Sequence, residues 1–560
     1  MRAMKMTKAI SNTRLLVAMA ALLLTAAAYG AAPGISAGTG VFNLTAQAAF
    51  LNQPDGAAVY SWGYGCAAGF TPTFLPAAIA PPAGGCPSMQ VPGPTLIVTE
   101  GQKVTVNLTN GLPTAAGNTS ILFPGFQVST TGGAPGLLTQ EATPATTPLV
   151  ASNTVTYTFT ASQPGTHAYY SGTQGDLQVE MGLYGAIIVL PASVPSACTG
   201  GLHAANLQVK ASWSEPDFRL AAAAYDHPGS CYDREYLFQW AEMDSRIHQQ
   251  ALAQVGDPAR VAACAVSPTT KGCSLEVQTE PYHPAYFLIN GRSMPDLMDP
   301  NYAAEYPHQP YNGNPHTHPG ELVLIRTVGQ GRWQHPFHEH ANHVRILARD
   351  GNLILSPTTP SQNLAGILMF NTDTTPGQAF DGIFYFTGRG LNWDPYGHHP
   401  GDTNDPILGS APCVADTNGY YTVNSGAPVH AVNYYEWCQD HNKPLQVAPF
   451  GDVQAGGPAT LPDANILTNG AWYNGSPYLG PDATLRGSAP ACTGGANPTN
   501  AGCTTMMPSN VQANGPTERG WAFMWHSHNE REITTNNVFP GGMLMMLLVD
   551  SREFVIDESM

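Results

Sequence analysis

Charge is what this chain has least of. Charged side chains make up 11% of its 560 residues, and the basic ones are scarcer, 22 Lys and Arg against 39 Asp and Glu. A formal charge of −17 offers no basic surface to nucleic acid and suits a soluble protein that attracts cations. There is no Cys-x-x-Cys, no Gly-rich phosphate loop, no Gly-x-Ser-x-Gly elbow and no haem-attachment motif. Long apolar runs are also missing, with one exception. Leu15 to Ala28 follows Arg2, Lys5, Lys8 and Arg14 and leads into small residues around Gly30 and Ala31. That run is short for a membrane span, and no second candidate follows it. Residues 1–30 therefore read as a cleaved export signal, which leaves a periplasmic or secreted chain with no integral membrane anchor and a formal charge of −21.

What is abundant points to β structure. Gly (58) and Pro (49) are frequent, and β-branched and aromatic residues recur in short runs, the composition of an all-β protein with many turns. The length suits about three domains. Ten cysteines fall into neighbouring pairs (66/86, 198/231, 264/273, 413/438 and 492/503), which in an exported chain reads as up to five local disulfides.

Two stretches resemble each other. "VPGPTLIVTEGQKVTVNLTN" (91–110) to "GTHAYYSGTQGDLQVEMGLYGAIIVLP" (165–191) matches "THPGELVLIRTVG" (317–329) to "GWAFMWHSHNEREITTNNVFPGGMLMMLLVD" (520–550). Each opens on an alternating strand and closes on an aromatic strand, a glycine and a continuous apolar strand, the pattern of a β-sandwich. The expected organisation is a sandwich over 31–195, a smaller one over 196–300, and a third over 301–560. The last carries a loop-rich insertion at 391–515, full of Gly, Pro and Asn.

Of 18 histidines, His335, His338, His340 and His343 crowd into "HPFHEHANH", and His526 and His528 into "WHSHNE". Strand geometry puts residues i and i+2 on one face, so His338 with His340, and His526 with His528, form two pincers that converge four imidazoles. Four imidazoles suit Cu(II). Two or three with a carboxylate, Glu530 or Glu532, suit Fe, Mn or Zn. A third pair, His316 and His318, precedes a strand in a Pro-rich loop and reads as surface. His398 and His399 sit in the insertion, where they are placed to cap the site. His167, of opposite strand parity to its neighbours, reads as a surface or junction residue.

"HPFHEHANHVRIL" followed by "MWHSHNERE" resembles the third and fourth copper-binding segments of the multicopper oxidases, and "VPGPTLIVTEGQKVTVNLTN", "YFLINGRSMPD" and "GLYGAIIV" are similar to that family's framework. The resemblance implies three cupredoxin-like Greek-key sandwiches. It also implies a type 1 copper held by two His and a Cys, and a trinuclear cluster held by eight His that reduces dioxygen with electrons from a small reductant. It gives His335 a type 1 role and His338, His340, His526 and His528 trinuclear roles.

The departures define the expectation. Ser527 stands where the family has the type 1 cysteine, and Glu532 stands in place of the second type 1 histidine. Met543, in "PGGM", aligns with the axial methionine only after an insertion, and its apolar strand favours a core role. In the first sandwich, Leu122, Pro124, Tyr170 and Gly172 stand at four histidine positions. Blue copper needs a thiolate, so it is excluded. What survives is room for one metal, two at most. The first expected site is His338, His340, His526 and His528, with Glu530 as a fifth ligand if its strand continues, and the second is a weak site at His335 and Glu532. Three function classes follow: a divergent copper oxidoreductase, a copper-binding or delivery protein, and a structural protein with a metal staple.

Overall fold

The computed structural model describes residues 31–200, 215–318, 321–357, 364–386, 520–550 and 556–558, together with 207, 414–415, 421–422 and 476–478. The expected export signal, His398, His399, the last four cysteines and nearly all of the expected 391–515 insertion lie outside the described residues.

The first sandwich has two five-stranded sheets. In one, Val41–Asn52 (β1) runs parallel to Lys103–Asn110 (β2), which pairs antiparallel with Thr154–Thr160 (β3). Along β2, Val104, Val106 and Leu108 are buried while Thr105 and Asn107 are half-exposed, the period-two pattern of a strand with one face on the core. In the other sheet, Gly165–Tyr170 (β4) pairs antiparallel with Tyr184–Leu190 (β5), and β5 runs parallel to Leu96–Thr99.

The second sandwich repeats this plan. It uses Arg234–Met243 (β6), Tyr286–Ile289 (β7), Leu322–Gly329 (β8), His335–Glu339 (β9), Ala379–Tyr385 (β10), Gly520–Ser527 (β11) and Leu544–Asp550 (β12). β6 is parallel to β8, as β1 is to β2, and β8 pairs antiparallel with β10 as β2 does with β3. In the facing sheet β11 pairs antiparallel with β12, as β4 does with β5, and β12 runs parallel to His316–Thr317.

This topology gives two sandwiches among the described residues where three were expected. Among the described residues, the strands expected to make a small domain over 196–300 are β6 and β7, and both hydrogen-bond into the sheet that holds β8. A boundary at 300 would cut that sheet. The physical reason is that a parallel pairing closes over many residues and leaves no local sequence signal.

β6 is buried at all ten positions. Its Tyr236, Phe238 and Trp240 point into the second core, whereas Leu237, Ala241 and Met243 pack on the first sandwich against Ala168, Ile188, Leu51 and Val91. One strand thus serves a core with one face and the domain junction with the other. Between β6 and β7 the chain makes two helices that the strand pattern gave no hint of, Ser245–Val255 (α1) and Pro258–Val266 (α2). Asp244 and Asp257 cap them by accepting from the backbone N–H groups of Arg246 and Arg260. Ile247 and Ala251 of α1 enter the core of the first sandwich.

Cys66–Cys86, Cys198–Cys231 and Cys264–Cys273 are disulfides, the neighbour pairing the spacing suggested. Among the described residues no helix is long and apolar enough to cross a membrane.

Candidate metal centre

The site is built on the pairing of β9 with β11, whose register sets Phe337 against Ser527, His338 against His526 and Glu339 against Trp525. Strand alternation sends Phe337 and Trp525 inward, where they meet edge to face with ring centroids 5.9 Å apart, and leaves His338 and His526 on the outer face. Just past β9, the Trp525 indole N–H donates to the His340 carbonyl at 2.9 Å, which fixes the backbone as it returns toward β11. His340 Nε2 then stands 3.2 Å from His526 Nε2, and one ligand atom each from His338, His340 and His526 lie within 4.8 Å of one another.

Two of these rings have their tautomer set by the fold. His338 Nδ1 lies 2.6 Å from the Phe370 carbonyl and His526 Nδ1 2.7 Å from its neighbour's carbonyl, at Ser527. A carbonyl only accepts, so each Nδ1 carries the proton and each Nε2 keeps a lone pair. Burial lowers the pKa of all three, and the neighbouring imidazoles lower it further; His340 falls to about 4. Neutral imidazole is the ligating form, so the cluster is held ready for a cation.

His528 is exposed, its ring centroid 4.9 Å from that of His338, and it falls outside the tight group of three. Glu530 differs from the expectation that it shares the histidines' face. β11 ends at Ser527 and Glu530 opens a 3-10 turn that Asn529 caps, so the strand parity stops before reaching it. Its carboxylate lies 3.8 Å from His528 Nδ1, at the surface.

His335 and Glu532 also meet, though as an ion pair. Both are buried, with His335 Nδ1 2.9 Å from Glu532 Oε2, in contact but not an aligned hydrogen bond. On the other side, His335 Nε2 pairs with Glu242 Oε2 at 2.9 Å. Burial would lower the pKa of His335, but Glu242 and Glu532 outweigh it and hold it at about 9. Ser527 Oγ donates to Glu532 Oε2, and Asn529 Nδ2 donates to Oε1. Two carboxylates thus flank an imidazolium whose nitrogens both face oxygen, so the residues present do not fit a type 1 copper, and the place of the expected weak second site holds this charge pairing. Met543 is fully buried in the apolar core.

Sequence reasoning missed Glu242, which stands 93 residues from its partner with no motif around it. It also missed Glu339, fully buried between His338 and His340 in the sequence. Burial raises its pKa well above the usual carboxyl range, opposed by a hydrogen bond from Thr372 to Oε1, while Oε2 has no partner among the described residues. Strand parity was the available signal, because a residue between two outward histidines faces in. The pair His316 and His318, expected at the surface, is buried: His316 sits in the strand beside β12, and His318 Nε2 lies 2.9 Å from Glu215. His167 is a buried junction residue, packed on Phe126 and on Gly351 of the second sandwich.

The first sandwich carries the same framework without ligands. Leu122 pairs with Tyr170 as His338 does with His526, and the Ser171 N–H donates to Leu183 as the Ser527 N–H does to Met543. There Ser171 and Thr119 both donate to Gln178 Oε1, at 2.7 and 2.9 Å, a neutral counterpart of the Ser527, His335 and Glu532 cluster.

Two pairs of sheets packed around two cores define the class as an all-β protein of β-sandwiches. Residues 88–193 match the family model described as "Multicopper oxidase", so the resemblance to that family falls on the first sandwich, which has Leu122 and Tyr170 where the second has His338 and His526. Similar solved structures include the multicopper oxidase mgLAC (14% identity, 91% of this chain and 86% of that chain, TM-score 0.41). Another is the blue copper oxidase from Nitrosomonas europaea (13% identity, 91% and 85%, TM-score 0.41). A third is the laccase from Botrytis aclada (18% identity, 63% and 47%, TM-score 0.34). No curated protein matches the chain.

Proposed function

We propose that this chain is an exported multicopper-oxidase-like protein that holds one copper ion at His338, His340 and His526, with His528 beside them. In this reading it acts as a divergent oxidoreductase with no blue copper. The observation that carries it is the group of three imidazoles within 4.8 Å, two with their Nδ1 protons committed to carbonyls, which leaves each of those two Nε2 atoms unprotonated. A donor set of nitrogen alone, with Glu530 out beside His528, favours copper over Fe or Mn, and the general order of divalent affinities puts Cu(II) above Zn. Bound copper would supply one-electron redox chemistry toward dioxygen or a small reductant. The chain's own part is to hold the rings: the Phe370 and Ser527 carbonyls fix two of them, and Trp525 fixes the backbone at the third, His340. The three disulfides agree with export.

A copper-binding or delivery role is the second reading. It is favoured by the exposed His528 at the edge of the cluster and by the ion pair that closes the former electron entry.

The test is metal analysis of the exported protein with paramagnetic resonance, then oxygen uptake with small phenols or Cu(I) as reductant. One tightly held copper with nitrogen hyperfine structure and measurable uptake supports the oxidoreductase. The same copper without uptake supports the carrier, and no retained copper sinks both.

A further inference from the structure

We propose that one end of the first sandwich docks on the surface of an anionic phospholipid bilayer. Among the described residues 14 large apolar side chains are exposed, and seven of them stand on three excursions from this end. The first excursion is the hairpin of Ala134–Pro135 with Gln140–Glu141, where the Gly136 N–H donates to the Thr139 carbonyl at 3.1 Å and leaves Leu137 and Leu138 as the tip. Leu137 is 92% exposed, so it meets almost nothing of its own chain. The second is the loop that leads into β3, which exposes Leu149 and Val150. The third is the helical pair, with Leu252 of α1 and Val261 and Val266 of α2.

Hydrogen bonds bring the three together. Asn110 ends β2; its Nδ2 donates to the Ala142 carbonyl at the foot of the hairpin at 2.9 Å, and its own carbonyl accepts from the Ala145 N–H of the loop at 2.8 Å. The turn just beyond, Thr114–Ala116, receives the chain returning from α2, because the Ala115 carbonyl accepts from the Leu275 N–H at 3.2 Å. α2 inverts the usual rule for a helix at a protein surface. Pro258, Val261, Ala262, Ala265 and Val266, spaced three and four apart, form an apolar stripe that faces outward, and no residue of the helix is buried. Apolar surface held in water is stabilised by a cover.

Charge selects the cover. On a chain of formal charge −17, residues 258–275 carry Arg260 and Lys271 and no acid, and residues 126–153 carry one charged group, Glu141. That carboxylate already accepts from Thr173 at 2.9 Å and Asn118 at 3.1 Å, and Asp257, just before the cations, caps α2. Aliphatic tips with cations beside them suit a layer of headgroups over acyl chains, and an anionic surface adds roughly fivefold in affinity for each cation close to it. A second copy or another protein would need about 800 Å² of continuous, well-packed surface on each side. Three separate tips meet a deformable bilayer more readily than a rigid partner. Among the described residues no helix is long and apolar enough to cross a membrane, so the proposed contact is with the surface.

The experiment is flotation of the full exported chain with vesicles of phosphatidylglycerol and phosphatidylcholine in equal parts, set beside vesicles of phosphatidylcholine alone. Saturable binding to the mixed vesicles is expected, about tenfold weaker without phosphatidylglycerol. Leu137→Asp and Val266→Asp should each weaken it about tenfold, because each takes an apolar group out of the bilayer and adds a charge that the anionic surface repels. Val538→Asp, at an exposed position of the second sandwich, should leave it unchanged. Absence of binding, equal binding to the two vesicles, or equal losses from all three variants overturns the proposal. So does dimerisation without lipid that Leu137→Asp abolishes, which would assign this end to a second copy. The two-vesicle comparison needs no variant and so stands even if a variant fails to fold. Copper content measured on the same samples reports on the metal site separately, and none of the variants should change it.

Discussion

His335 Nε2 lies 2.9 Å from Glu242 Oε2, with both side chains fully shielded from solvent. The folded chain holds this imidazole protonated up to about pH 9, whereas an unfolded histidine titrates near 6.5. A raised histidine pKa contributes stability that is complete below about pH 6.5 and disappears as pH rises through about 9, on the order of 3 kcal/mol here. Denaturant midpoints measured from about pH 6 to 10 should therefore fall on the alkaline side, and Glu242→Gln should flatten that fall. A flat profile in the unaltered protein would show that His335 is neutral.

Ser527→Cys alone, loaded with copper, should give no intense visible band. The thiol would arrive, but His335 would remain held by two carboxylates and Glu532 would still stand where a second imidazole is needed. A strong blue absorption from this single change would mean that copper displaces the ion pair.

His340→Ala and His526→Ala should each remove tightly held copper, since their Nε2 atoms face each other at 3.2 Å. His528→Ala should cost less, about tenfold or below in affinity, because that ring lies outside the group of three. Competition with a chelator of known affinity reads the difference; equal losses across the three variants would place His528 among the ligands.

Glu339→Leu should raise the thermal midpoint, by the equivalent of about 1–3 kcal/mol, the usual cost of leaving a buried polar group unpaired. Thr372 loses its bond to Oε1 but keeps the Phe337 carbonyl at 3.4 Å as an acceptor. A lower midpoint would show that the carboxyl serves the fold in a way its empty Oε2 does not reveal.

The local parts of this molecule were legible in sequence. Alternation gave β2 and β9, and the two His-x-His pairs gave the rings that β9 and β11 bring together, because strand parity is a short-range property. The matched stretches also gave Tyr170 and Gly172 as counterparts of His526 and His528, whereas the pairing of Leu122 with Tyr170, which mirrors that of His338 with His526, is a finding of the structure. Long-range closure was hidden. The parallel pairing of β6 with β8 turned an expected third sandwich into part of the second, and the contact of Glu242 with His335 depends on that same pairing. Glu530 was misplaced because extending the strand assumed three more residues of β structure than the chain supplies before Asn529 caps a turn.

The double burial of β6 bears on how this protein can change over time. A strand with Trp240 in one core and Met243 against the neighbouring sandwich leaves no seam along which either half can be excised, duplicated or exchanged whole. A chain cut before β6 would present Ala168 and Ile188 to water, and one beginning at β6 would present Leu237. The first sandwich is therefore needed even though Leu122 and Tyr170 offer a metal no imidazole. Its surface is the other half of a wall, and it serves as architecture whether or not it carries chemistry.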